Sequence, residues 1–171
     1  MTIYNKFIIY LALIFCSSCG IYSFTGASIP IGAKTVSVEY FSNKAANIQP
    51  ILSSLFTEKL KDIFIEQTSL NLQDRDGDLA FSGYINKYEI KPIAIQSNES
   101  ASKNRLTISV HVTFINSIEN EKGFEQTFSR YKDYESTENI NDIEEELINY
   151  ITDEIIEDIF NKSIVNWWII N

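Results

Sequence analysis

The sequence predicts an α+β fold: a four-stranded, mostly antiparallel sheet with two helices packed on one face, in the order β-α-β-β-β-α. Three observations carry that reading. Residues 106–114 alternate apolar and polar side chains almost without fault, the period of a strand with one buried face. Residues 52–64 and 143–160 instead space their apolar side chains three and four apart, the period of an amphipathic helix. Shorter alternating runs at 35–41, 79–92 and 124–131 supply the other strands.

Taken in order, the chain opens on Lys6, an apolar run over residues 7–15, the small pair Ser17-Ser18, and then Cys19-Gly20. The run is about half of the roughly 20 residues that a helix needs to cross a bilayer, so it suits a signal peptide and not a stable span. A cysteine directly after small residues is where lipoprotein processing cuts and acylates. Residues 1–18 are therefore read as a lipoprotein signal peptide and Cys19 as the lipid attachment site. Cys16 stands three before Cys19, where this motif usually carries Leu. The other reading is an ordinary secretory signal cut near Ser18. If cleavage falls before Cys19, one cysteine remains and the mature chain can form no internal disulfide. Residues 19–34 hold Gly20, Gly26, Pro30 and Gly32 with no secondary-structure period, and read as a lipidated tether. Residues 35–171 read as a single α+β domain, large enough to bury a core without staples.

The first strand, residues 35–41, puts Val36, Val38 and Tyr40 on one face. Pro50 fits the first turn of a helix, where its missing N–H is not needed; Leu52, Leu55, Phe56, Leu60, Ile63 and Phe64 form that helix's buried stripe. Asp74, Asp76 and Asp78 suggest a calcium loop, but the sixth and twelfth positions from Asp74 are Leu79 and Ile85 rather than Gly and an acid. A turn remains. In the second strand Leu79, Phe81, Gly83 and Ile85 share a face, while Tyr84, Tyr88 and Ile90 belong near the other face or past a bulge at Gly83. Residues 96–104 lack an apolar anchor and read as an exposed, mobile loop ended by Arg105. Leu106, Ile108, Val110, Val112 and Phe114 point inward on the third strand, with His111 outward. Phe124 and Phe128 share one side of the fourth, opposite Thr127, Ser129 and Tyr131, and pair it with the third as a hairpin.

The last helix spans about 141–161. Ile143, Leu147, Ile151, Ile155 and Ile159 line its buried face, widened by Ile148, Ile156 and Phe160, and Asn141 with Glu144 resembles a capping box. Its acids form a solvated face or a dock for a basic surface. The apolar tail around Trp167-Trp168 must be buried under the sheet, against lipid or in a partner.

Composition excludes several functions. The net charge is −9, and loss of Lys6 with the signal leaves 13 basic against 23 acidic side chains, which speaks against a nucleic-acid surface. The chain has one histidine, no glycine-rich phosphate loop and no His/Cys metal spacing, so no catalytic residue, metal or cofactor is expected and the protein is read as not an enzyme.

Three stretches, Cys19-Gly20-Ile21-Tyr22-Ser23-Phe24-Thr25-Gly26, the Val36-Ser37-Val38 strand and the Phe56-Thr57-Glu58-Lys59-Leu60 helix, resemble the LptE family of outer-membrane lipopolysaccharide-assembly lipoproteins. Ser23–Ile29 and Phe128-Ser129-Arg130-Tyr131 are similar to the form found in Bacteroidetes-type bacteria. The resemblance implies a non-enzymatic lipoprotein on the periplasmic side of the outer membrane, attached through acyl chains. It further implies that the protein plugs and helps assemble the LptD β-barrel and assists insertion of lipopolysaccharide. Lys103 and Arg105 are the basic pair nominated to touch lipopolysaccharide; they read equally as strand-end charges. The rival reading is a stand-alone periplasmic lipoprotein that binds a soluble glycan or peptide through Tyr84, Tyr88, Tyr131 and Tyr134. A third is a scaffold docked through the acidic helix.

Overall fold

The computed structural model describes residues 29–93 and 102–165. The expected signal peptide, Cys19, most of the expected tether, residues 94–101 and Trp167-Trp168 lie outside the described residues.

The described residues form a six-stranded sheet and two long helices. The strands are β1 (Thr35–Val38), β2 (Ser42–Asn43), β3 (Asn71–Gln73), β4 (Leu79–Ile93), β5 (Lys103–Asn116) and β6 (Phe124–Glu135). Their order is β3-β1-β4-β5-β6, with β2 also paired to β4. The sheet is mixed: β1 pairs parallel with β3 and β4, β2 pairs parallel with β4, and the long β4-β5-β6 meander is antiparallel. Four strands were expected. The two additional ones have two and three residues and show no period of their own; each forms only because a longer strand offers it a parallel edge.

β1 and β2 are two pieces of one line interrupted by an extra residue. Val38 pairs with Phe81 and Ser42 with Tyr84, so four steps on one strand match three on the other. That extra step ends the predicted alternation. Tyr40 is turned to solvent and Phe41 is fully buried, its N–H donating to Thr57 Oγ1 at 3.1 Å. The second irregularity lies at Asn86, not at Gly83. Ile85 pairs with Val110 and Lys87 with Ser109, so Asn86 is the extra residue. Tyr88 thereby joins Ile85 on the inner face rather than the outer one. Gly83 serves a different purpose: φ is +157°, and a Cβ there would lie 2.0 Å from the carbonyl oxygen of His111 and 2.7 Å from Phe41 Cε1.

Helix α1 (Leu52–Gln67) packs on β1, β2 and β3; α2 (Ile140–Phe160) packs on β5 and β6; the helices touch each other. Pro50 sits before the N-cap residue Ile51, outside the first turn. α2 is capped by Asn139, whose side chain accepts from Asn141 N at 3.2 Å, so the cap lies two residues before the one expected. Leu106, Ile108, Val110, Val112 and Phe114 of β5 are all buried as the alternation requires. Leu147, Ile151, Ile155 and Ile159 of α2 meet them. An aromatic row runs through the core, Phe64 to Phe81 at 4.8 Å and Phe81 to Phe114 at 4.7 Å, with Phe160 of α2 5.3 Å from Phe64. Both helices therefore cover one face of the sheet.

Candidate functional site

Covering one face leaves the other free of helices. Odd-numbered residues of β5 and β6 point to that open face, and the antiparallel register brings them together in rows. At the row of His111, Nδ1 lies 3.2 Å from Thr127 Oγ1 and Nε2 lies 2.9 Å from Glu125 Oε1, while the ring packs 5.0 Å from Tyr84. Lys44 caps the far side of Tyr84 at 4.4 Å. The sequence showed no partner for His111 because its partners are 14 and 16 residues away, and only strand register supplies them. Next along the sheet, Ser109 Oγ donates to Ser129 Oγ at 2.8 Å.

The nominated basic pair lies at the end of this face. β5 starts at Lys103, so Lys103 and Asn104, expected in the loop, belong to the strand, with Lys103 at its first position and Arg105 two residues in. Arg105 donates from Nε and Nη2 to the two carboxylate oxygens of Asp133 at 2.7 and 2.9 Å. Its guanidinium also lies 3.6 Å above the Tyr131 ring. The fork raises the Arg105 pKa and holds the Asp133 carboxyl below its usual range, each mainly through the hydrogen bond to the other. Lys103 Nζ stands 3.7 Å from Glu135.

Two further lysines belong to this cluster, and the sequence reading missed them. Lys91 sits directly across from Arg105 in register, and Lys87 across from Ser109. Glu89 bridges them, 2.9 Å from Lys91 and 3.3 Å from Lys87, and the two ammonium groups, Lys91 first, keep its carboxyl below the usual range. The signal was present in the Lys-x-Glu-x-Lys spacing, which places all three on one strand face. The patch thus holds four cations, Lys87, Lys91, Lys103 and Arg105, against Glu89, Asp133 and Glu135. In a strongly acidic protein it is a local concentration of positive charge.

The four tyrosines do not form a shared platform. Tyr88 and Tyr134 are buried on the helix side, because the Asn86 bulge turns Tyr88 inward and β6 runs on to Glu135. Tyr88 donates its hydroxyl to Glu144 Oε1 at 2.6 Å, and burial, reinforced by Glu144, pushes its pKa well above the ordinary phenol value. Tyr84 and Tyr131 share the open face about 16 Å apart, from four residue steps along β5 and the two strand spacings across it.

Asp78, from the acidic turn, uses its carboxylate to hold β1. It accepts from Lys34 N at 2.8 Å and from Thr35 N and Thr35 Oγ1 at 3.0 Å, which lowers its pKa. The acidic face of α2 is partly engaged within the chain: Asp158 takes a two-pronged bond from Arg130 and Asp153 a bond from Lys59.

Residues 33–163, the whole sheet and both helices, match the model of a family described as lipopolysaccharide-assembly, LptE. The chain belongs to the LptE family. No curated protein sequence is significantly similar to it. Among solved structures, a Xanthomonas campestris protein superposes with a TM-score of 0.53 at 9% identity, covering 81% of this chain and 90% of its own. A hypothetical protein from Chlamydia trachomatis gives 0.50 at 8% identity, covering 77% and 98%. A minor lipoprotein from Acinetobacter baumannii gives 0.47 at 13% identity, covering 74% and 90%. The first two show the same fold in distant sequences and nothing about function. No described helix of this LptE-family chain is long and apolar enough to cross a membrane.

Proposed function

We propose that this LptE-family protein is a non-enzymatic outer-membrane lipoprotein, acylated on Cys19 after removal of residues 1–18, that fills the lumen of an LptD-type β-barrel from the periplasmic side. It helps that barrel assemble and assists insertion of lipopolysaccharide. Family membership is the observation that carries the reading. The open face adds physical support. A barrel lumen is polar and its wall is made of strands, and a helix-free face of hydroxyl, imidazole and paired charged side chains matches such a wall better than it matches lipid. Every cation of the Lys87–Lys91–Lys103–Arg105 patch already has a carboxylate beside it, so a phosphorylated lipid would bind by exchanging its phosphates for Glu89, Asp133 and Glu135. Such exchange is reversible, which suits a protein that hands its ligand on.

The test is a photo-crosslinking residue placed singly at Thr107, Thr127 and Ser129, with irradiation in intact outer membranes. Capture of a large β-barrel protein from these positions supports the reading. Failure of all three to capture one contradicts it.

A further inference from the structure

The two edges of the sheet are finished differently. β3 closes one side with three residues, a stub that offers little to pair with. β6 closes the other with twelve, in register with β5 from Phe124 to Glu135 without a shift and without proline or glycine. Long edges are ordinarily broken by a bulge or proline, or covered, because their unpaired backbone groups template another strand.

The hydrogen bonds at the end of β6 show which way each backbone unit points. Ser136 N donates to Ser102 O at 2.9 Å, in line with β5. Glu135 points the opposite way: its N–H donates to Glu138 Oε2 and its carbonyl accepts from Glu138 N, both at 3.0 Å. That direction alternates along an antiparallel ladder, and the unshifted register carries the alternation up the strand. Even-numbered residues of β6 therefore bond to β5, while Glu125, Thr127, Ser129, Tyr131 and Asp133 turn their N–H and C=O groups to the free side. Among the described residues no other segment meets those groups. The cations on the helix side of the strand are drawn back over α2, Arg130 by Asp158 and Lys132 by the Tyr150 ring at 3.9 Å. The edge is thus bare from Glu125 to Asp133, a length of about 27 Å.

We propose that β6 accepts an extended segment of a partner protein as a further strand of the sheet, with Lys or Arg on the side that meets Glu125, Asp133 and Glu135. Charge decides the occupant. A second copy fits poorly: antiparallel self-pairing about Ser129 sets Glu125 opposite Asp133 at both ends, and pairing about Arg130 sets Glu125 opposite Glu135 and Arg130 opposite itself. Like charges directly opposite destabilise a sheet. A strand with basic residues at its ends and small polar ones between them complements the acids and the hydroxyls of Thr127, Ser129 and Tyr131. The acids have room for it, since the Glu125 side chain is 67% exposed and that of Glu135 45%. Main-chain bonds supply the affinity of such an added strand and alternate side chains its selectivity. Which protein provides the segment rests on the barrel reading; the pairing does not.

Hydrogen exchange resolved to single amides reads the edge directly. The full chain is labelled in intact outer membranes and again after purification in detergent, then digested and fragmented by electron transfer. Even-numbered amides of β6, bonded to β5, report that the strand is folded in each sample. The expected result is exchange at Thr127, Ser129 and Tyr131 at least about tenfold slower in membranes than in the purified protein. Ser129→Pro should abolish the slowing at Thr127 and Tyr131, because the N–H it removes faces the free edge and not the β5 ladder; Ser129→Ala should keep it. Glu125→Gln/Glu135→Gln should reduce it, and protection unchanged in that variant overturns the basic chemistry assigned to the segment. Equal, fast exchange in both samples overturns the proposal. Slow exchange in both places this chain's own residues on the edge, and slowing that grows with protein concentration places a second copy there; either result overturns it as well. Protection in membranes from which no barrel protein co-purifies supports the added strand and contradicts the barrel reading. A barrel that co-purifies while the odd-numbered amides stay fast contradicts the added strand alone.

Discussion

Replacing Gly83 by alanine adds one carbon at the point where β4 crosses β5 under Phe41. That carbon would lie 2.0 Å from the carbonyl oxygen of His111, 2.7 Å from Phe41 Cε1 and 3.1 Å from the His111 carbonyl carbon. The oxygen is backbone in the central β5 strand and cannot swing aside as a side chain would. Phe41 is fully buried and 5.0 Å from Phe56, so it has no free volume either. Relief requires β4 and β5 to separate locally, with overpacking worth about 1–3 kcal/mol. The backbone adds roughly 1–3 kcal/mol, because φ of +157° is a glycine conformation. Together, Gly83→Ala should lower unfolding free energy by about 2–6 kcal/mol, a large share of the roughly 5–15 kcal/mol typical of a domain. Urea denaturation of the full chain followed by circular dichroism measures it. A loss below about 0.5 kcal/mol, the range of an ordinary surface change, would refute the packing described at this crossing.

Ile155→Ala empties a fully buried position between α2 and the sheet and should cost about 2–5 kcal/mol in the same assay. Tyr88 has its pKa raised in the folded state, so the stability it contributes is complete below about pH 10 and falls as pH rises further; Tyr88→Phe should flatten the decline above about pH 10. Asp78 has its pKa lowered, so its contribution is complete above about pH 4 and is lost on acidification; Asp78→Ala should weaken folding at neutral pH and shrink the drop below about pH 4, read by thermal unfolding at neutral and acidic pH.

What the sequence revealed and what it hid follow from the range of the interactions. β5 was legible because one face of a central strand is buried along its full length, so each alternate residue reports its own environment. α2 was legible for the same reason at helical period. β2 and β3 were not, because two or three residues cannot display a period and owe their strand pairing to β4 and β1. Tyr88 was misplaced because one extra residue, Asn86, inverts every later side chain on that strand. Placing that bulge requires the register against Val110 and Ser109. The site divides in the same way. Arg105 and Lys103 could be named from local sequence, while their carboxylate partners, and the Glu125 and Thr127 beside His111, come from β6 and exist as neighbours only after folding. Asn139 was overlooked as a cap because Asn141 with Glu144 mimics the capping pattern two residues downstream.

The proposed place of the protein inside a barrel is tested by what leaves the membrane with it. The most direct measurement recovers it from detergent-solubilised outer membranes with an antibody, so that neither terminus carries a tag, and quantifies what accompanies it after a high-salt wash. A large β-barrel at one-to-one stoichiometry, retained in salt, is the result predicted. Recovery of the lipoprotein alone, or of a barrel that salt removes, would contradict it.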